Sequence, residues 1–142
     1  MAVKHQSRLP KLNRDSNHRK ALFRNQLKKL ITYGFLTTTT TKAKIIKRLF
    51  DKLVTKAKQG TLSSRRSVIA SLGNTTSANR LVDTIAPVLS DRLSGFTTIQ
   101  KVDVRRGDST SMATLKLVTA IPEPEKKEIE IKKAKPVTKK AK

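Results

Sequence analysis

Lysine and arginine recur at every fourth residue in two stretches of this sequence, a spacing that places positive side chains along one face of a helix. The members of the two rows are Lys20, Arg24 and Lys28, and then Lys44, Arg48, Lys52 and Lys56. Such a row can neutralise successive phosphates, because each cation that contacts a phosphate releases condensed counterions. The chemistry that these residues offer is the binding of a polyanion.

The positive charge is concentrated in one part of the chain. The first 58 residues contain sixteen Lys or Arg and two acids, Asp15 and Asp51, within a 142-residue chain of formal net charge +22. Charge of one sign repels itself in a compact fold, and few acids are present to form i, i+4 pairs on a helix surface. We therefore interpret the basic segment as a nucleic-acid-binding surface in preference to a solvated one. A lipid surface is a weaker alternative, because it would need the apolar stripes that the core requires.

No pattern in the chain indicates catalysis or a cofactor. Cysteine is absent, and His5 and His18 have only Asp15 between them as an acid, which is a poor basis for a metal site. Neither GxxxxGK[ST] nor GxGxxG occurs, and no Ser has the context of a nucleophile elbow. No secretory signal and no run of about 20 apolar residues is visible. The sequence predicts an intracellular, non-enzymatic protein without metal, cofactor, small-molecule substrate or membrane partner.

Two long helices are predicted to carry the basic rows. The first begins near Ser16, with Asp15 or Ser16 as its N-cap, and ends at Gly34. The second covers residues 42–58, after a Thr run at 37–41 that can form a short strand and whose end can also cap this helix. Their predicted core residues are Phe23, Leu27, Leu30 and Ile31 in the first helix, and Ile46, Leu49, Phe50, Leu53 and Ala57 in the second.

Shorter elements follow. Residues 63–72 predict a third helix, and a fourth, capped by Asn74 or Thr75, is expected to end at Pro87. The β-branched segment 96–104 and the alternating segment 113–118 predict an antiparallel hairpin, with turn chemistry at 105–108. Leu49 and Leu81 are expected in the core, so that Asp at either position should unfold the domain.

The predicted fold class is α+β, with four helices packed on a small sheet that contains a C-terminal antiparallel hairpin. Residues 1–15 form a basic arm, residues 16–120 form a single domain, and residues 121–142 form a Lys-, Glu- and Pro-rich tail expected to be disordered. Aromatic residues are 4% of the chain, which disfavours reading of single strands by base stacking. Duplex RNA recognised by phosphates and shape fits better.

A DNA-compacting or regulatory protein remains the alternative, since charge alone does not separate RNA from DNA. A helix-turn-helix would need a short Gly-containing turn between its helices. The Thr-rich link between the two long helices is a poor match to that requirement.

Four motifs occur in order along the chain. Residues 11–25 read KLNRDSNHRKALFRN, residues 38–44 read TTTTKAK, residues 94–99 read SGFTTI, and residues 105–108 read RRGD before Met112-Ala113. Together they resemble the bacterial large-ribosomal-subunit protein seventeen family over about residues 1–118. Thr98 stands where that family usually has Arg, and Ile45 stands where it usually has Glu.

The resemblance implies a compact domain on the large subunit of the bacterial cytoplasmic ribosome. It implies binding to the large-subunit ribosomal RNA near the polypeptide exit, beside other ribosomal proteins, in support of translation and without catalysis. The cations would contact phosphates, and Asn13, His18 and Asn25 would contact ribose hydroxyls or base edges, although capping and solvated-surface roles fit these three equally well. The predicted RNA-binding set is Lys4, His5, Arg8, Lys11, Asn13, Arg14, His18, Arg19, Lys20, Arg24, Asn25, Lys42, Lys44, Lys47, Arg48, Arg92, Arg105 and Arg106.

Overall fold

The computed structural model describes residues 10–119. Three strands and a series of helices follow one another along this range. In chain order they are α1 (Ser16–Tyr33), β1 (Phe35–Thr39), α2 (Thr40–Lys58), α3 (Leu62–Leu72), α4 (Thr75–Asn79), a π-helical turn (Arg80–Ile85), α5 (Ala86–Val88), β2 (Thr97–Val104) and β3 (Ser111–Leu117). The predicted α+β class is confirmed. The expected disordered tail and residues 1–9 of the arm lie outside the described residues, so the predicted domain limits stay predictions.

Helix α1 has the predicted limits because both of its ends are capped. The Asp15 side chain accepts hydrogen bonds from the backbone N–H groups of Asn17 and His18. Gly34 has a φ of 75°, in the left-handed region that suits glycine, and its N–H donates to the Leu30 carbonyl at 2.9 Å. The predicted apolar stripe from Phe23 to Ile31 is buried.

The Thr run is divided between two elements. Thr37 and Thr38 lie in β1, Thr39 occupies the N-cap position of α2 without a side-chain capping bond, and α2 begins at Thr40, two residues earlier than predicted. The Thr40 hydroxyl donates instead to the carbonyl of Ser111 at 3.2 Å. This contact joins the start of α2 to the start of β3.

One predicted core residue of α2 is only half-buried. Ile46, Phe50, Leu53 and Ala57 are buried as expected, whereas Leu49 lies at the edge of the core beside an open groove. The expectation that Asp at position 49 would act like Asp at a fully buried site is therefore too strong. A carboxylate at this position can reach water.

The helical run that begins at Thr75 ends at Val88, one residue beyond the predicted end at Pro87. Helical hydrogen bonding continues beyond it, since the Leu89 N–H donates to the Ile85 carbonyl at 3.2 Å. In the preceding π-helical turn the Ala86 N–H donates to Leu81, five residues back. A proline ring normally crowds the carbonyl four residues earlier in an α-helix, and the wider turn gives this ring room.

The three strands form an antiparallel sheet in the order β1-β3-β2. The predicted β2–β3 hairpin is confirmed, with an irregular register between Lys101 and Val104. Leu36 of β1 and Ile99 of β2 both pair with Leu115 of β3. The inner face of the sheet packs against α2, so the core lies between the sheet and the helices.

Candidate nucleic-acid interface

Helices α1 and α2 place parts of the two basic rows on opposite walls of one groove, which we call the α1–α2 groove. Its floor is apolar, its volume is about 320 Å³, and Ser71 of α3 lies at its side. The floor consists of Phe23, Leu27, Leu49 and Leu53, and the walls consist of Lys20, Arg24, Lys52 and Lys56. None of the lining residues is acidic, so the groove combines positive charge with apolar surface.

Helix α2 connects this groove to the hairpin. With 19 residues it is about 28 Å long. Lys52 and Lys56 lie at its groove end, whereas Lys42 and Lys44 lie near its start, which the Thr40–Ser111 bond holds beside β3. The exposed cations of the α2 row, Lys44, Arg48, Lys52 and Lys56, therefore extend from a point beside the hairpin to the α1–α2 groove, and we call this row the extended basic surface.

The acids of the basic segment do not neutralise this surface, because each is used for a local contact. Asp15 caps α1, and the His18 Nδ1 lies 4.0 Å from its other oxygen. Asp51 of α2 lies beside the backbone of Phe96, ahead of β2. One Asp51 oxygen is buried without a hydrogen-bond partner. Burial raises the pKa of Asp51, and this effect outweighs the lowering by the Phe96 backbone and by Lys47.

We expect Asp51→Asn to raise the thermal unfolding midpoint at pH 7. A carboxyl whose pKa is higher in the folded state than in the unfolded state makes folding less favourable once it ionises. Asn removes the charge and keeps an oxygen beside the Phe96 backbone. The increase in the unfolding midpoint should therefore appear as the pH rises through the range in which an ordinary Asp carboxyl ionises. It should vanish at more acidic pH, where Asp51 is protonated in both the folded and the unfolded state. Calorimetric unfolding across this pH range measures it, and an equal gain at every pH would contradict burial of the Asp51 charge as the cause.

Arg24, a predicted phosphate ligand, has an intramolecular role that the sequence did not indicate. Its Nε donates to the Ser71 carbonyl at 3.1 Å and its Nη2 donates to the Ala70 carbonyl at 3.2 Å. These carbonyls belong to the last turn of α3, where four acceptors lack helical partners. Arg24 thus ties α1 to the end of α3 and holds one wall of the α1–α2 groove in place.

Replacement of Arg24 by Ala should lower the free energy of unfolding by about 1 kcal/mol, because two hydrogen bonds to an exposed part of α3 are lost. Urea denaturation measures the change. Arg48→Ala is the matched control, since Arg48 is exposed and makes no hydrogen bond or ion pair with any residue from 10 to 119. Equal stability of the two variants would show that the Arg24 contacts are unimportant.

Two predicted RNA-binding arginines shape the end of the arm. Arg14 Nη1 donates to the Leu12 carbonyl at 2.9 Å, and Arg19 Nη1 donates to the Arg14 carbonyl at 3.0 Å. Leu12 and Asn13 have positive φ values of 56° and 51°, a costly conformation for residues other than glycine. The guanidinium contacts help to hold this turn, and Asn13 is an exposed member of it rather than a helix cap.

The remaining predicted residues differ in exposure. Those on the surface are Lys11, His18, Lys20, Asn25, Lys44, Arg48, Arg92 and Arg106, and those half-buried are Lys42 and Lys47. Arg105 is exposed but engaged, because its guanidinium pairs with Asp108 across the hairpin turn. Hydrogen bonding to Arg105 holds the pKa of Asp108 well below its usual value. Lys4, His5 and Arg8 lie outside the described residues.

Lys58 and Arg65 are structural cations that no sequence pattern indicates. Lys58 Nζ donates to the Ser90 carbonyl at 3.0 Å and also bonds the Arg92 carbonyl, while lying 5.1 Å from the centre of the Phe96 ring. Arg65 pairs with Asp83. The partners of both cations are distant in sequence, so local spacing carries no signal for these contacts.

Residues 10–119 contain neither a candidate metal site nor a candidate membrane-spanning helix. No group of three or more His, Asp or Glu is placed to hold a metal ion in this part of the chain. No helix within it has both the length and the apolar character needed to cross a bilayer.

These features define a class of protein: a small α+β domain with an extended basic surface, in which the acids of the basic segment serve local structure. Comparison with known proteins is more specific. The family model described as ribosomal protein L17 matches residues 22–118. The chain belongs to this ribosomal protein family.

Relatives in several bacteria carry the name large ribosomal subunit protein bL17. The protein of Fervidobacterium nodosum is 39% identical over 126 residues, covering 82% of this chain and 99% of the relative. The protein of Thermus thermophilus is 45% identical over 109 residues, covering 76% of this chain and 92% of the relative. Membership of the family confirms the resemblance seen in the motifs. It also confirms the predictions of a non-enzymatic ribosomal protein and of a location on the bacterial cytoplasmic ribosome.

Proposed function

We propose that this chain binds the RNA of the large ribosomal subunit as a structural component near the polypeptide exit. The observation that carries the proposal is the extended basic surface along α2, from the hairpin to the α1–α2 groove. Positive charge left without acids in a folded domain is stabilised by an external polyanion. The relatives' name supports the large subunit as the source of that polyanion, and the motif resemblance supports the exit region and neighbouring ribosomal proteins as its surroundings.

Within this proposal the exposed cations position the domain on phosphates. Lys20, Lys44, Arg48 and Lys52 are the principal contacts, because they are exposed along α1 and α2. Arg106 makes a second contact at the hairpin turn, where Arg105 is already paired with Asp108. Recognition of this kind follows the shape and charge of folded RNA more than its base sequence.

The DNA-binding alternative has little support from the fold. The link between α1 and α2 is a strand of the sheet and not a turn, so these helices do not form a helix-turn-helix. The family and its named relatives are ribosomal.

A triple variant, Lys44→Gln with Arg48→Gln and Lys52→Gln, tests the proposed surface. We expect its retention on large subunits after a high-salt wash to fall at least tenfold, since each lost phosphate contact weakens binding. The matched control removes three exposed charges elsewhere, through Lys29→Gln, Arg66→Gln and Lys116→Gln. Retention of the triple variant at the level of the control would contradict the assigned surface, and recovery of the chain on chromosomal DNA would favour the alternative. Difference density between subunits with and without the chain tests the exit-region placement.

A further inference from the structure

The α1–α2 groove has an unusual combination of surfaces for a feature open to solvent. Its floor is formed by four apolar side chains, of which Leu49 is half-buried. The other three, Phe23, Leu27 and Leu53, are buried beneath it, and an open groove with an apolar lining and a few charged groups at its rim is a common form of binding site. Lys20 lines one wall and Lys52 and Lys56 line the other, and the Lys56 ammonium donates to the Ser67 hydroxyl at 3.2 Å. An occupant suited to this groove has an apolar body and an anionic edge.

A single nucleotide of RNA has both properties. Its base has apolar faces that pack on hydrophobic side chains, and the phosphates on either side of it carry the negative charge. Unpaired nucleotides in RNA loops and bulges are commonly turned outward and held by a protein in this manner. We propose that the α1–α2 groove receives one unpaired nucleotide of the ribosomal RNA, with the base on the floor and its phosphates beside Lys20 and Lys52. This inference rests on the proposed RNA-binding function.

The arrangement of charge outside the groove favours RNA over an acidic peptide. The basic row of α2 does not stop at the groove, but continues through Arg48 and Lys44 toward the hairpin. A phosphate backbone neutralised along this row runs directly to the groove and can deliver one nucleotide into it. A short acidic peptide in the groove would leave Arg48 and Lys44, the rest of the row, without an anionic partner.

The groove is expected to accept any base. Base identity is read by hydrogen-bonding groups that face the base edges. Ser71 is the one uncharged polar residue among those that line the groove, and its hydroxyl already donates to the Ser67 carbonyl at 2.8 Å. Arg24 is likewise committed to α3. Binding therefore depends on an unpaired position in the RNA and not on which base occupies it.

Photo-crosslinking in assembled large subunits identifies the occupant. Leu49 is replaced by photo-leucine, a diazirine analogue of similar size, and the subunits are irradiated. We expect an adduct with one nucleotide of the large-subunit RNA. An adduct with another protein, an adduct with residues 121–142 of the same chain, or no adduct would overturn the inference. Photo-leucine at Leu93, which is 95% exposed, is the control, and its reaction with the same nucleotide would also overturn it.

Binding of the full chain to a fragment of the ribosomal RNA separates this inference from the proposed function. Leu49→Ser keeps every cation and removes part of the floor, so we expect affinity to fall about 5- to 30-fold, because part of a leucine side chain is no longer covered by the base. The slope of affinity against salt should not change, and one base should become more reactive to chemical probes. Leu49→Met, which retains an apolar side chain, should behave like the original protein. Unfolding midpoints of both variants verify that they fold.

Failure of the original chain to bind the RNA would count against the proposed function itself. Normal RNA binding by Leu49→Ser, with an unchanged pattern of base reactivity, would overturn the groove inference and leave the proposed function intact.

Discussion

Replacement of Leu81 by Asp should leave the chain unfolded at 25 °C. Leu81 lies in the π-helical turn and is 0% exposed. Loss of a buried leucine side chain costs about 2–5 kcal/mol, and an unpaired buried carboxylate adds several kcal/mol more. Together these costs approach the whole stability of a typical domain, which is about 5–15 kcal/mol. Loss of the helical circular-dichroism signal and of a cooperative urea transition would show the effect.

Leu93→Asp provides the comparison for this variant, because Leu93 is 95% exposed and the same substitution there changes no core contact. Leu49→Asp should have an intermediate effect, since a carboxylate at the edge of the α1–α2 groove stays hydrated. A Leu81→Asp protein that unfolds cooperatively at the original urea midpoint would show that the core has been assigned wrongly.

RNA binding by the original chain should weaken by about 10³–10⁵ between 50 and 200 mM salt, if 6–10 phosphates are neutralised. This magnitude takes duplex DNA as a guide, because the effect comes from release of counterions that are condensed on any dense phosphate backbone. Filter binding or fluorescence anisotropy over a series of salt concentrations measures it.

The triple variant of Lys44, Arg48 and Lys52 provides an internal check on this salt response. With three phosphate contacts removed, the slope of log affinity against log salt should become shallower by about 2–3. A flat salt response of the original chain would contradict phosphate binding. An unchanged slope in the triple variant would show that the phosphates contact a different surface of the domain.

Features determined by neighbouring residues were predictable from the sequence. Asp15 and Gly34 set the ends of α1 because capping is a local matter of side-chain reach and backbone conformation. The β2–β3 hairpin was predictable for the same reason, since a β-branched segment and an alternating segment flank a turn that contains Gly107 and Asp108.

Features that depend on distant partners were not predictable. Pairing of β1 with β3 joins segments from opposite parts of the domain, and nothing in the Thr run specifies its partner. The usual preference of proline predicts a helix end at Pro87, and the π-helical turn before it lets one further residue stay helical. Arg24 was assigned to RNA because its spacing matches the basic row, but its guanidinium is close enough to α3 to cap that helix. Periodicity in the sequence places a side chain on one face of a helix, but it does not specify which other element that face packs against.

The strand order of the sheet affects how readily newly synthesised chains associate with one another before they are assembled into ribosomes. With β3 in the centre, β1 and β2 each present an outer edge, and such edges can template pairing between copies. The irregular register between Lys101 and Val104 interrupts β2, and a charged lysine on an interrupted edge discourages a second molecule from extending the sheet. The same irregularity therefore makes the β2 edge a poor template for edge-to-edge pairing, whereas β1 pairs with β3 in regular register.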